Sequence, residues 1–183
     1  MNLIQPWKIE IGQINLLDKV DNAAILEEIY TLHCLCPRSS QTPLELTAEQ
    51  FPALVHFRDV ILRPLAEDYI NRIFEVSPTD ITIDTFGKAF DPQEGLGSHL
   101  HGNSCLTSVY YPEDSKAGMS LVDPRFNASR GYPRPVRDKH FGEHYVAPKA
   151  GDLWLMPSYI QHSVEANPGD VRLSLINDFH FKA

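Results

Sequence analysis

The stretch HLHGNSCLTSVYY, residues 99–111, sets two imidazoles two positions apart at the entrance to a β-branched and aromatic run. Residues two apart on an extended strand point to the same face. His99 and His101 can therefore address one ion from a single strand end, and imidazole is a ligand for iron, zinc, copper and nickel. A third imidazole, His162, lies in WLMPSYIQHSV, which reads as strand, turn and strand. Ten residues further on, VRLSL alternates, so Arg172 and Ser174 share one face while their neighbours are apolar. A guanidinium turned into a β-rich core needs an anion, because an unpaired buried charge is costly. Its planar fork suits a carboxylate. Two plainer readings stay open at this point: histidines on the surface, and Arg172 paired with an internal Asp or Glu. The spacing yields a metal plus an anion site and names no substrate.

These residues need elements to position them. The first half of the chain has helical periodicity. DNAAILEEIYTLHCL begins at Asp21, a suitable N-cap, and carries Ile25, Ile29 and Leu32 at helical spacing. PRSSQTPLEL reads as a loop. TAEQ offers Thr47 and Gln50 as a capping box, and behind it Leu54, Phe57, Ile61, Leu65, Tyr69 and Ile73 form one apolar stripe. Pro64 falls inside that stripe and predicts a kink or break near Val60. After VSPTD the pattern changes to short strands: ITIDTF, CLTSVYY, MSLVD, EHYVAP, DLWLMP, HSVEA and VRLSLINDF, most of them separated by Gly, Pro, Asp or Asn. Many short strands with such turns predict a double-sheet jelly roll. The fold class is α+β, mainly β: one domain over residues 1–183, with N-terminal helices (about 15–76) packed on one sheet of a β-core (about 80–182).

Composition narrows the function. The 183 residues suit one domain with a real core. A net charge of −8 argues against a general nucleic-acid or membrane-surface binder. No stretch approaches the ~18 apolar residues of a membrane span, and MNLIQPWKIEIG lacks the pattern of a signal peptide. Cys34, Cys36 and Cys105 make no disulfide framework, which fits a reducing cytoplasm. The segment from Arg125 to His140 concentrates basic residues with Gly131, Pro133 and Pro135; it reads as a loop, either a lid over the barrel mouth or a solvated insertion. Asp123 reads as part of a turn, His140 and His144 as surface groups, and Trp154 and Met156 as core. Gly95 and Gly97 read as a flexible approach to the metal strand.

Taken together, His99-Leu100-His101, Ser104 to Ser108, Val109-Tyr110-Tyr111, Asp123-Pro124-Arg125, Gly151, Pro157-Ser158, His162, Arg172-Leu173-Ser174 and Asn177 resemble the pattern of the small iron(II)- and 2-oxoglutarate-dependent oxygenases of bacteria and phages. The resemblance covers roughly residues 81–181. It implies a double-stranded β-helix and, as cofactors, Fe(II) and 2-oxoglutarate. It implies that His99, His101 and His162 hold the metal and that Arg172 binds the distal carboxylate of the oxoacid. Ser174 would assist, and Tyr111 would touch the same carboxylate. It implies hydroxylation of an unidentified small molecule or peptide by O2, with succinate and CO2 released; a homodimer is left open. The chain departs from the wider superfamily at one point. The usual facial triad is two histidines and one carboxylate, whereas position 101 is a histidine. If His101 were instead the first ligand, Asn103 would stand where the acid belongs. The alternatives are a three-histidine cupin-like dioxygenase that ignores 2-oxoglutarate and a non-enzymatic metal-binding accessory module.

Overall fold

The structure is a computed structural model that describes residues 9–35 and 44–183. The expectations for Cys36, most of the PRSSQTPLEL loop and the first eight residues lie outside that range.

Asp21 begins the first helix as its type predicts: its Oδ1 accepts the Ala24 N–H at 3.1 Å. The helix α1 (Asn22–Leu35) buries Ile25, Ile29 and Leu32. The second helical stretch starts differently from the expected capping box. Pro52 opens α2 (Pro52–His56), and Glu28 of α1 caps it from outside, its two carboxylate oxygens accepting Ala53 N–H at 2.9 Å and Leu54 N–H at 2.8 Å. Two amides held by one carboxylate displace the need for a local Thr47 cap. The break predicted by Pro64 is a π-helical turn over Phe57–Leu62, followed by α3 (Arg63–Phe74). Pro64 has no N–H to give the carbonyl four residues before it, so the helix widens there. The inserted turn also moves the apolar stripe on by one position. Leu54 and Phe57 are buried as expected, but beyond the turn Leu62, Ala66, Tyr69 and Ile70 are buried, with Ile61, Leu65 and Ile73 only partly covered.

Nine strands follow or flank these helices: β1 (Gly12–Asn15), β2 (Thr79–Phe90), β3 (Leu96–His99), β4 (Leu106–Tyr111), β5 (Met119–Val122), β6 (Glu143–Val146), β7 (Asp152–Pro157), β8 (His162–Val164) and β9 (Arg172–Lys182). They pair antiparallel into a five-stranded sheet, β1-β7-β4-β9-β2, and a four-stranded sheet, β3-β8-β5-β6. The edge strand β1 was not foreseen, because its GQIN lacks strand composition; pairing with β7 makes it a strand.

Side-chain alternation divides the large sheet between two jobs. One face presents Leu106, Tyr110, Leu153, Leu155, Leu175 and Phe179 to the helices. Tyr110 packs against Phe57 with tilted rings, centroids 4.6 Å apart, and donates its hydroxyl to Asn22. The polar Thr85, Asn177 and Ser108 on that face satisfy one another: Thr85 donates to Asn177, and Asn177 to Ser108. The chain also needs a glycine there. A Cβ on Gly87 would lie 2.6 Å from the Ile29 carbonyl, so α1 lies tight against β2 only because that atom is missing. The other face, with Val109, Tyr111, Trp154 and Met156, packs against Met119, Leu121 and Val146 of the small sheet. This is the expected jelly roll with helices on one sheet. Among the described residues no helix is long and apolar enough to cross a membrane.

The basic segment 125–140 is partly helical, with α4 at Arg134–His140. It lines a cavity with Leu121, His144 and Ile160, and His99, His101 and His162 are not among that cavity's lining residues. Asp123 is held there by Arg125 at 2.6 Å. The segment does not line the cavity that holds the histidines, and Asp123 is not part of their cluster.

Candidate metal centre and anion pocket

β3 and β8 pair so that His99 and His162 are direct cross-strand partners. His101 gets there by another route than the alternation argument supposed. β3 ends at His99, and His101 sits in the turn beyond it. That turn is tied down by the His101 N–H donating to the Ser158 carbonyl at 3.1 Å and by the Ser104 N–H donating to the His101 carbonyl. One ring nitrogen of each of His99, His101 and His162 lies within 4.8 Å of those of the other two.

The hydrogen bonds decide which nitrogen that is. His99 Nδ1 lies 2.9 Å from the Gly97 carbonyl and His162 Nδ1 lies 2.9 Å from the Ile160 carbonyl. A carbonyl only accepts, so each Nδ1 carries the proton and each Nε2 keeps its lone pair. His101 Nδ1 is bound to Asp178 Oδ1 at 2.7 Å, with the Thr107 hydroxyl at 3.5 Å. On all three rings Nε2 is thus the nitrogen left to bind a metal. Burial holds His162 in the neutral, metal-ready form, its pKa pushed down to about 4, with the neighbouring imidazoles adding to the effect. Burial also lowers His99. Three imidazoles that each have Nδ1 engaged and Nε2 to offer suit a borderline transition metal such as iron.

A cavity of about 600 Å³ between the sheets contains the three histidines, Arg172 and Ser174. Its floor is the inner face of β2 and β9, where Phe90 faces Arg172, Lys88 faces Ser174, Phe86 faces Ile176 and Asp84 faces Asp178. Arg172 is 4% exposed. Its guanidinium lies over the Phe90 ring at 4.4 Å and near the Tyr111 ring at 5.8 Å. Nη1 makes one long bond, 3.3 Å, to the Ala117 carbonyl, and Nε is buried with no partner among the described residues. No carboxylate among those residues pairs with it either, so the internal ion pair that was the plainer reading is absent. Burial pulls its pKa down from the usual arginine value. An orphaned buried donor of this kind calls for an anion from outside the chain. Tyr111 is beside it, and burial pushes its hydroxyl up to about 12, so it stays a hydrogen-bond donor. Ser174 is buried on the cavity face, while Asn103 is exposed at the rim, where it lines the cavity outside the imidazole cluster.

Two residues of this site escaped the sequence reading. Asp178 is one; Lys88, which bonds Glu94 at 3.2 Å, is the other. Asp178 had a legible signal. It has the same strand parity as Arg172 and Ser174 in VRLSLINDF, so a carboxylate on the inner face was deducible. The remaining histidines take other roles: His33 Nδ1 accepts from the Ala89 N–H, and His180 contacts Asp84 at 3.3 Å.

Comparison with known proteins agrees with this geometry. Residues 88–178 match the family described as "Putative 2OG-Fe(II) oxygenase". No curated protein matches. Among solved structures, the chain superposes on a prolyl hydroxylase from Trichoplax adhaerens, crystallised with a hypoxia inducible factor peptide fragment, at TM-score 0.63 and 13% identity, covering 92% of this chain and 82% of that one. The epimerase SnoN of nogalamycin biosynthesis, in complex with Fe3+, alpha ketoglutarate and nogalamycin RO, matches at TM-score 0.56 and 14% identity over 93% and 78%. An oxidoreductase of the 2OG-Fe(II) oxygenase family from Burkholderia pseudomallei matches at 0.53 and 14% over 78% of this chain, which spans 63% of that protein's length. At such identities the superpositions establish the double-stranded β-helix alone. The family match spans the segment that holds every histidine and the arginine of the site. The chain belongs to the 2OG-Fe(II) oxygenases, and iron and 2-oxoglutarate are the cofactors of that family.

Proposed function

We propose that this cavity binds Fe(II) through Nε2 of His99, His101 and His162 and binds 2-oxoglutarate through Arg172, and that the protein hydroxylates a substrate entering from the open side. With both cofactors in place, O2 and 2-oxoglutarate are consumed to give succinate and CO2, and a substrate C–H bond becomes C–OH. The chain supplies the rest. Arg172 offers its unused guanidinium edge to the distal carboxylate of the oxoacid, and the Tyr111 hydroxyl and Ser174 donate beside it. Phe90, Tyr111 and Met119 wall that end and keep water from it. Leu96 and Leu100, both exposed at the cavity, present an apolar lip to the substrate. The observation that carries this reading is a buried arginine with no counter-ion among the described residues, sharing one cavity with three clustered imidazoles. A cytoplasmic setting is in keeping with the free thiols of Cys34 and Cys105.

The test is an anaerobic titration. Fe(II) followed by 2-oxoglutarate should give a metal-to-oxoacid charge-transfer band that Arg172→Ala weakens, and air should then yield succinate. Iron binding with oxygen uptake but no response to the oxoacid would favour a three-histidine dioxygenase whose own substrate carries the carboxylate for Arg172.

A further inference from the structure

The missing carboxylate of the metal triad has a substitute in the chain. A triad of two histidines and a carboxylate brings one negative charge to the metal; His99, His101 and His162 as neutral imidazoles bring none. Yet the three are not equivalent. The Nδ1–H groups of His99 and His162 are tied to neutral carbonyls, whereas that of His101 donates to a carboxylate at 2.7 Å. His101 is also the one of the three that stands two positions after His99, where the superfamily carries its acid. Resting on the iron reading above, we propose that Asp178 takes over the role of that acid at one remove, as a positioning residue. It fixes His101 with Nε2 toward the metal, and through the imidazole it supplies the negative charge the ligand set lacks.

The register of the large sheet supports a functional origin for Asp178. It lies directly opposite Asp84 on β2, and both side chains line the cavity. Like charges directly opposite on neighbouring strands destabilise a sheet. Each carboxylate has its own imidazole, Asp178 with His101 and Asp84 with His180 at 3.3 Å. A chain selected for sheet stability alone would not keep an aspartate at 178. The same bond joins the sheets: His101 leaves the small sheet beyond β3, and Asp178 belongs to β9 of the large one. A carboxylate behind a ligating histidine raises the basicity of the ring and fixes its orientation.

The test compares the parent protein with Asp178→Asn, which keeps the shape and a hydrogen-bond acceptor but loses the charge. Anaerobic calorimetry with Fe(II) should show about 10- to 100-fold weaker binding in the variant. The Fe(III)/Fe(II) midpoint potential of the loaded variant should rise, because an anion near the metal favours the ferric state. Asp84→Asn removes a charge from the facing strand without touching His101, and its iron affinity and potential should stay close to the parent's. A reading independent of any variant is the nitrogen NMR spectrum of the histidines in the Zn(II)-loaded parent. His101 should be protonated at Nδ1, with the most downfield ring proton of the three. An Asp178→Asn protein with the parent's affinity and potential, or a His101 unprotonated at Nδ1, overturns the proposal. If the parent itself fails to bind Fe(II), the iron reading falls and this inference with it. If only the Asp178 results fail, the iron reading stands.

Discussion

Replacing Arg172 by methionine should change stability and ligand binding in opposite directions. In the ligand-free protein the guanidinium is buried and has a single long bond, 3.3 Å, to the Ala117 carbonyl. That carbonyl also accepts the Ser115 hydroxyl at 2.7 Å, so it is not orphaned when the arginine leaves. Nε has no partner among the described residues, and a buried donor left unsatisfied costs about 1–3 kcal/mol. Methionine keeps an unbranched stem that can lie on Phe90 and removes both the charge and the orphan. Setting the loss of one weak bond, about 1 kcal/mol, against that relief leaves Arg172→Met between neutral and ~2 kcal/mol more stable. For a chain of this size each kcal/mol moves the melting midpoint by about 2–4 °C. Oxoacid binding should move the other way. Truncating one partner of a buried, charge-assisted contact costs about 2–5 kcal/mol, which weakens 2-oxoglutarate by roughly 30-fold to several thousand-fold. Urea unfolding of the metal-free protein reads the first quantity, and anaerobic titration of the Fe(II) protein with 2-oxoglutarate reads the second. A variant that unfolds earlier than the parent yet binds the oxoacid equally well would refute the reasoning, because Arg172 would then be a structural cation.

The remaining predictions concern the metal and the packing beneath it. His162→Ala removes a ligand held in the neutral form by burial, so stoichiometric Fe(II) or Co(II) binding by calorimetry should be lost. The parent should gain about 2.7 kcal/mol of stability at metal concentrations 100 times the dissociation constant, and the variant should gain none. Gly87→Ala places a methyl 2.6 Å from the Ile29 carbonyl and should cost about 1–3 kcal/mol in urea unfolding. Gly97→Ala, with nothing within 4 Å of the new atom, should cost far less. Glu28→Ala frees Ala53 N–H and Leu54 N–H at the start of α2, and about 1–2 kcal/mol of stability should go with it; an unchanged urea midpoint would show that water replaces the carboxylate without loss.

The sequence was most legible where local chemistry and long-range packing agree. Asp21 caps α1, Ile25, Ile29 and Leu32 face the core, and the seven strand segments read from alternation and turn residues all form strands. It was least legible where a partner distant in the chain decides. The amides that open α2 go to Glu28 rather than to Thr47, a choice between two acceptors that only the packing of α1 against α2 settles. Pro64 marked the disturbance in the long helix, but its consequence, a π turn that advances the buried positions from Ile61 and Leu65 to Leu62 and Ala66, depends on how the widened turn seats on the sheet. β1 has no signal of its own and exists through β7. For the site, the sequence singled out His99, His101 and His162, which the structure brings together as a candidate metal centre, though His101 reaches it from a turn and not from strand alternation.

Alternation along β9 explains why function could be read at all. The face of β9 toward the helices carries Leu175 and Phe179, with Asn177 satisfied by Thr85 and Ser108, and it serves stability. The opposite face looks between two sheets, where a sandwich ordinarily places apolar side chains. Here it carries Arg172, Ser174 and Asp178, three polar groups in succession at period two, interrupted only by Ile176. Polar residues in core positions each carry a desolvation cost, and folding alone gives no return on Arg172, whose guanidinium is left short of partners. Departures from local patterning that the fold does not need concentrate at functional sites. That is why β9, whose inner face breaks the apolar rule together with Lys88 and Asp84 of the facing β2, is also the strand proposed to supply both the anion grip and the carboxylate behind the metal ligand. The helices packed on its outer face provide the stability against which those costs are set.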